Sequence, residues 1–166
     1  LWDRQKMNML DLEASGIQRR EVHTEDQKAF LIDSIARGLP MGAITIYIGE
    51  DRSVDTSWEI IDGKQRLTAI FGYMDNVFIP REDLITRQAE KVEENLPPPP
   101  DSDLAQSIID KRYNELEPPQ MLKMREYSVP IYKVSGPRSE AVRIFSRMNH
   151  NTYTLQPQEL RNALFM

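Results

Sequence analysis

Residues Trp58-Glu59-Ile60-Ile61 read as a strand and run straight into Asp62-Gly63-Lys64-Gln65-Arg66. Directly afterwards Leu67, Ile70, Phe71 and Met74 recur at helical spacing. The periodicity changes from strand to helix across a single glycine, which places the chain among mixed α+β folds. A second run, Ala43-Ile44-Thr45-Ile46-Tyr47-Ile48, is rich in β-branched and aromatic residues and reads as another strand. The polar residues 49–57 between the two runs make them a plausible hairpin pair.

Other boundaries are written in turn and cap chemistry. Thr24-Glu25-Asp26-Gln27 fits a capping box, with a hydroxyl first and an amide three residues on. Phe30, Leu31, Ile32 and Ile35 follow at near-helical spacing, Gly38 suits a left-handed end and Pro40 prevents continuation. A helix over 25–37 is expected. Residues 127–134 return to strand character, but Pro130 cannot donate a ladder bond, so that strand is an edge or is irregular there. Residues 139–148 predict a helix with Ala141, Ile144, Phe145 and Met148 on one face. Residues 149–154 read as a turn, and Pro157 opens a last helix, where its missing N–H costs nothing.

Residues 81–126 differ in character. They are charged, helical in places, and interrupted by Pro97 to Pro100 and by Pro118-Pro119. The four-proline run favours extended polyproline geometry. This region reads as a surface insertion or helical subdomain, with a solvated spacer as the plain alternative. The expected organisation is one domain over 1–166, with 17–80 and 127–165 as core and 81–126 as a helical, proline-rich insertion.

Composition narrows the chemistry. The 166 residues contain no cysteine, which removes disulfides and thiolate metal sites. His23 and His150 are the two histidines, and nothing near them has zinc spacing. A net charge of −5 argues against a large DNA footprint, since neutralising phosphates requires a basic surface. No apolar run approaches the ~18 residues of a membrane span. No signal peptide is visible, and a cytoplasmic setting is the default expectation.

The strand-to-helix turn carries the sharpest functional signal. A helix start leaves backbone N–H groups unpaired, and aligned peptide dipoles add positive potential there. An anion is thereby favoured, and phosphate suits the geometry. Gly63 lets backbone approach a ligand, Lys64 supplies a mobile charge, Arg66 a planar fork and Gln65 a donor and acceptor. Asp62 could orient water, hold Arg66 or Lys64, or meet a phosphate-bound Mg²⁺. The plain alternative is that Asp62-x-x-Gln65 caps the helix while Lys64 and Arg66 are solvated. Five residues with one glycine do not make a Walker loop. Elsewhere, Gln18-Arg19-Arg20, Arg147-Met148-Asn149 and Gln158-Glu159-Leu160-Arg161-Asn162 are polar clusters that, singly, read as salt bridging or capping.

Taken in order, these blocks resemble the N-terminal domain of GmrSD-type restriction endonucleases, in the wider ParB/sulfiredoxin-like fold group. The resemblance rests on Gln18-Arg19, then "FLIDSIARGLPMGAITIY", "IIDGKQRLTAI", "VPIYKV", "RIFSRMN" and "LQPQELRNALF". It covers most of residues 17–165, least of all the proline-interrupted middle. It implies a small mixed sheet flanked by helices, with a helical insertion and C-terminal helices. The family's central motif usually reads Asp-Gly-Gln-Gln-Arg, and Lys64 stands here in place of its first glutamine. The resemblance implies nucleotide binding and, in characterised relatives, NTP hydrolysis at this motif, with Mg²⁺ accompanying the nucleoside triphosphate. Asp62, Gln65 and Arg66 become candidate catalytic residues. Gln18, Arg19, Gly63, Lys64, Arg147, Asn149, Arg161 and Asn162 become candidate nucleotide-binding residues, with Glu159 lining or bracing the same cleft. No metal site of the protein's own is expected beyond Asp62 through nucleotide-bound Mg²⁺.

Family members act in defence against phage or modified DNA, and a separate nuclease of the HNH type does the cutting. No His-Asn-His constellation occurs in this chain, so no nuclease activity is expected of it and a nuclease domain or subunit is an expected partner. Two other readings compete with a nucleotide-dependent regulatory domain. One is a DNA-binding or DNA-sensing ParB-like module without turnover, supported by Arg19-Arg20, Arg143 and Arg147. The other is a degenerate scaffold that binds a protein through the middle segment.

Overall fold

The computed structural model describes residues 10–11, 23–49, 58–93, 99 and 102–149. These form six α-helices, one 3-10 turn and four short strands, and the chain is mixed α+β as expected. It divides into two compact units.

The sheet unit comprises residues 1–20, 43–64 and 130–166. Its described strands are β1 (Leu10–Asp11), β2 (Ile44–Tyr47), β3 (Trp58–Asp62) and β4 (Ile131–Val134), in the order β1-β3-β2-β4. β2 and β3 pair antiparallel, with a register irregularity at Thr45/Ile46. The other two pairings, β1 with β3 and β2 with β4, are parallel, so the sheet is mixed. The hairpin expected from residues 43–61 is present. β4 starts after Pro130, which donates nothing but accepts the Ile44 N–H at 2.9 Å. β4 is an edge among the described strands, as a proline at its threshold requires.

Successive residues of β3 are all buried: Glu59, Ile60 and Ile61. On one face, Ile61 packs with Ala141, Val142 and Phe145 of helix α6 (Arg138–Asn149). On the same face Arg138, the first residue of α6, makes a two-pronged ion pair with Glu59 at 2.7 and 3.0 Å. Pairing is what permits a carboxylate inside this sheet. The buried stripe of α6 runs through Val142, while Ile144, expected to face inward, is half-buried. The turn over 149–154 and the helix opened by Pro157 lie outside the described residues, apart from Asn149 itself.

The helical unit comprises residues 21–42 and 65–129. Its helices are α1 (Glu25–Ala36), α2 (Lys64–Met74, which starts one residue before the unit), α3 (Glu82–Val92), α4 (Asp103–Ile108) and α5 (Pro118–Arg125). α1 begins as the capping box predicts: the Gln27 N–H donates to the Thr24 hydroxyl at 3.3 Å, and the Thr24 N–H donates to the Gln27 side chain at 2.9 Å. Gly38 takes the left-handed conformation at φ +73° just past its end. Asp26 faces α3 and pairs with Arg87 and Lys91.

For residues 81–126, the core of this unit favours the helical subdomain over the alternative of a solvated spacer. Ala105, Ile108, Tyr113, Leu116 and Met124 are buried in one cluster with Ile32, Ile35, Ala36 and Tyr73. The segment is charged on its outer faces, and a sparse apolar set turns inward, while Val92 and Leu122 stay exposed. Pro118 and Pro119 open α5 instead of interrupting a helix, because a first turn has no need of their N–H groups. Of the four-proline run, Pro99 alone is described, and it lies in no helix or strand. Burial first, then neighbouring Tyr113 and Glu115, push the Tyr73 hydroxyl well above its ordinary pKa.

Candidate functional site

The Asp62–Arg66 motif forms the turn its periodicity predicts. Asp62 ends β3, opposite Thr45, and Lys64 begins α2. Gly63, not Asp62, is therefore the residue immediately before the helix. Gly63 has φ +92°, a conformation that a Cβ disfavours. Its role here is conformational: it lets an extended strand turn into a helix within one residue. Gly63 is buried, while Asp62, Lys64, Gln65 and Arg66 are half-buried.

Arg66 is held in a specific place. Its Nη1 donates to the Met41 carbonyl at 2.9 Å. Gly42, the next residue, has φ +82°, and a Cβ there would stand 2.8 Å from the same Nη1. The guanidinium thus lies against backbone that has been cleared of side chain. Gln65 is also anchored, since its Oε1 accepts the His23 N–H at 3.4 Å. That bond uses the acceptor end of the amide. His23 is half-buried beside Arg66 and Lys28, and its Nδ1 is buried with no hydrogen-bond partner among the described residues. Burial, then the Arg66 and Lys28 charges, hold the imidazole below its ordinary 6.5, so it is neutral near pH 7.

The predicted site residues separate into three groups. Gln65 and Arg66 share the helical unit with His23, Met41 and Gly42. Asp62, Gly63 and Lys64 belong to the sheet unit, as does Arg147, exposed in the last turn of α6, and Asn149, at its end. Gln18, Arg19, Glu159, Arg161 and Asn162 lie outside the described residues. Met41, Gly42 and His23 were not anticipated as neighbours of the motif. Gly42 did carry a signal: it is a second glycine, four residues after Gly38 and just before a strand, with no helix left to terminate.

Chemically, the first turn of α2 carries a lysine and an anchored arginine two residues apart, a combination suited to an anion. No group of three or more metal-ligating side chains gathers among the described residues. Asp62, the motif's one carboxylate, is the residue that would meet a Mg²⁺ ion carried on phosphates. No helix among the described residues is long and apolar enough to cross a membrane.

Fold and turn define a mixed α+β domain whose central strand passes through glycine into a basic helix start. The chain belongs to the family described as GmrSD restriction endonuclease, N-terminal domain, whose family model matches residues 4–166. It is thus a domain of the restriction and defence type. No curated protein and no solved structure matches the chain.

Proposed function

We propose that this domain binds a nucleoside triphosphate, with Mg²⁺, at the first turn of α2, and that binding and hydrolysis there regulate a nuclease carried by another domain or subunit. The observation that carries the reading is Arg66: an arginine in the first helical turn, fixed by the Met41 carbonyl at 2.9 Å. The bond satisfies the Met41 carbonyl and also fixes where the guanidinium lies. An arginine that must meet phosphate oxygens gains orientation before the ligand arrives. Backbone N–H groups of the first turn would share the phosphate charge, and Lys64 would add a second cation. Gln65 or Asp62 would orient the attacking water, and Mg²⁺ would supply neutralisation of charge on the phosphates. The family resemblance makes Gln18, Arg19, Arg147, Asn149, Arg161 and Asn162 further candidates for nucleotide contact. Membership of a restriction family supports the regulatory role and a cytoplasmic setting.

Arg66→Ala is expected to abolish nucleotide binding, measured by calorimetry with each of four NTPs with and without Mg²⁺ and DNA, while the domain stays folded by circular dichroism. Undiminished binding in that variant would overturn the assignment. DNA affinity that falls steeply with salt and ignores added nucleotide would instead favour the ParB-like DNA-binding reading.

A further inference from the structure

We propose that Tyr127 is a positioning residue for Arg66, acting through the segment 39–42; the inference rests on Arg66 being a phosphate contact. The Tyr127 hydroxyl donates to the Leu39 carbonyl at 2.7 Å and accepts the Met41 N–H at 3.0 Å. One oxygen thereby ties two points of the same short segment. The Met41 carbonyl then accepts Nη1 of Arg66 at 2.9 Å. Both polar groups of the Met41 backbone are engaged, one by Tyr127 and the other by Arg66.

The anchor is rigid for reasons visible in the same residues. The Met41 side chain and the Tyr127 ring both pack against the cluster built on Ile32, Ile35 and Tyr73. Pro40 fixes its own φ. Gly42, at φ +82°, leaves the space that Nη1 occupies, since a Cβ would come to 2.8 Å. A long arginine side chain otherwise samples many rotamers, and ordering it on binding costs affinity. Tyr127 removes that cost by holding the carbonyl against which the guanidinium rests. It touches no ligand in this account. It lies 61 residues after Arg66 in the numbering, at the far side of the charged middle segment.

The test is a cycle on the full chain: wild type, Tyr127→Phe, Arg66→Lys and the double variant, titrated calorimetrically with whichever of Mg²⁺-ATP, GTP, CTP or UTP binds most tightly. Phenylalanine keeps the ring and its packing but loses the hydroxyl. Lysine keeps the charge but not the fork that spans carbonyl and phosphate. Tyr127→Phe is expected to weaken binding about five- to tenfold, and to add no further loss in the Arg66→Lys background. Gly42→Ala, which crowds Nη1 from the other side, is expected to show the same pattern. A purely structural tyrosine would lower the melting midpoint and leave nucleotide affinity of the folded protein unchanged. Wild-type affinity in Tyr127→Phe, or an equal fold-loss in both backgrounds, overturns the proposal. Should the wild type bind none of the four nucleotides, the proposed function fails by itself. The anchor is then judged by urea unfolding of the same proteins: losses smaller in combination than the sum uphold it, and additive losses overturn it.

Discussion

At the scale of single residues, two groups near the motif have physical states that set testable behaviour. His23 is half-buried beside Arg66 and Lys28, and its folded pKa is lowered from 6.5. The neutral ring is the form the fold prefers. Its contribution to stability is complete above the unfolded value and is lost as pH falls through the folded value. His23→Gln is therefore expected to flatten the decline in unfolding free energy between about pH 7 and pH 5. Urea melts at a series of pH values check this, and an unchanged slope would mean that other groups carry the decline. The state of His23 was not legible in the sequence, where the residue entered only as a metal ligand without spacing. What decides it is burial first, then the charges of Arg66, 43 positions away in the numbering, and of Lys28. Gly63 was legible as a turn residue, because the strand period gives way to the helix period across it. Its left-handed φ of +92° gives that reading its physical basis.

At the scale of elements, local chemistry was readable and distant pairing was not. The capping box at Thr24 and the stop at Gly38 each depend on residues within a few positions of one another, and the strand pair over 43–61 joins two runs that are consecutive along the chain. The parallel pairings of β1 with β3 and β2 with β4 leave no such local mark. β1 is two residues long and offers no periodicity to read. The middle segment was legible as helical, but its average charge conceals the sparse inward set that packs it. Ile108 is fully buried in the helical core. Ile108→Ala is expected to cost about 2–5 kcal/mol in urea unfolding, as a large-to-small change in a packed core does. A loss below about 0.5 kcal/mol would return the segment to the status of a solvated spacer.

At the scale of the whole molecule, the chain is a GmrSD N-terminal domain, and the proposed function would have it meet nucleotide phosphate at the turn over Asp62–Arg66, where β3 gives way to α2. The candidate site was half legible. Its centre was written in five consecutive residues, whereas the backbone that holds Arg66 comes from Met41 and Gly42, and the hydroxyl that holds that backbone comes from Tyr127. Such supports are fixed by tertiary folding and have no spacing to find. The most direct measurement is amide hydrogen exchange across the chain, with and without a saturating Mg²⁺-nucleoside triphosphate. Slowed exchange concentrated at the amides of Lys64, Gln65 and Arg66 is the predicted result. Bound nucleotide that leaves those three amides unchanged and protects a different surface would contradict the account.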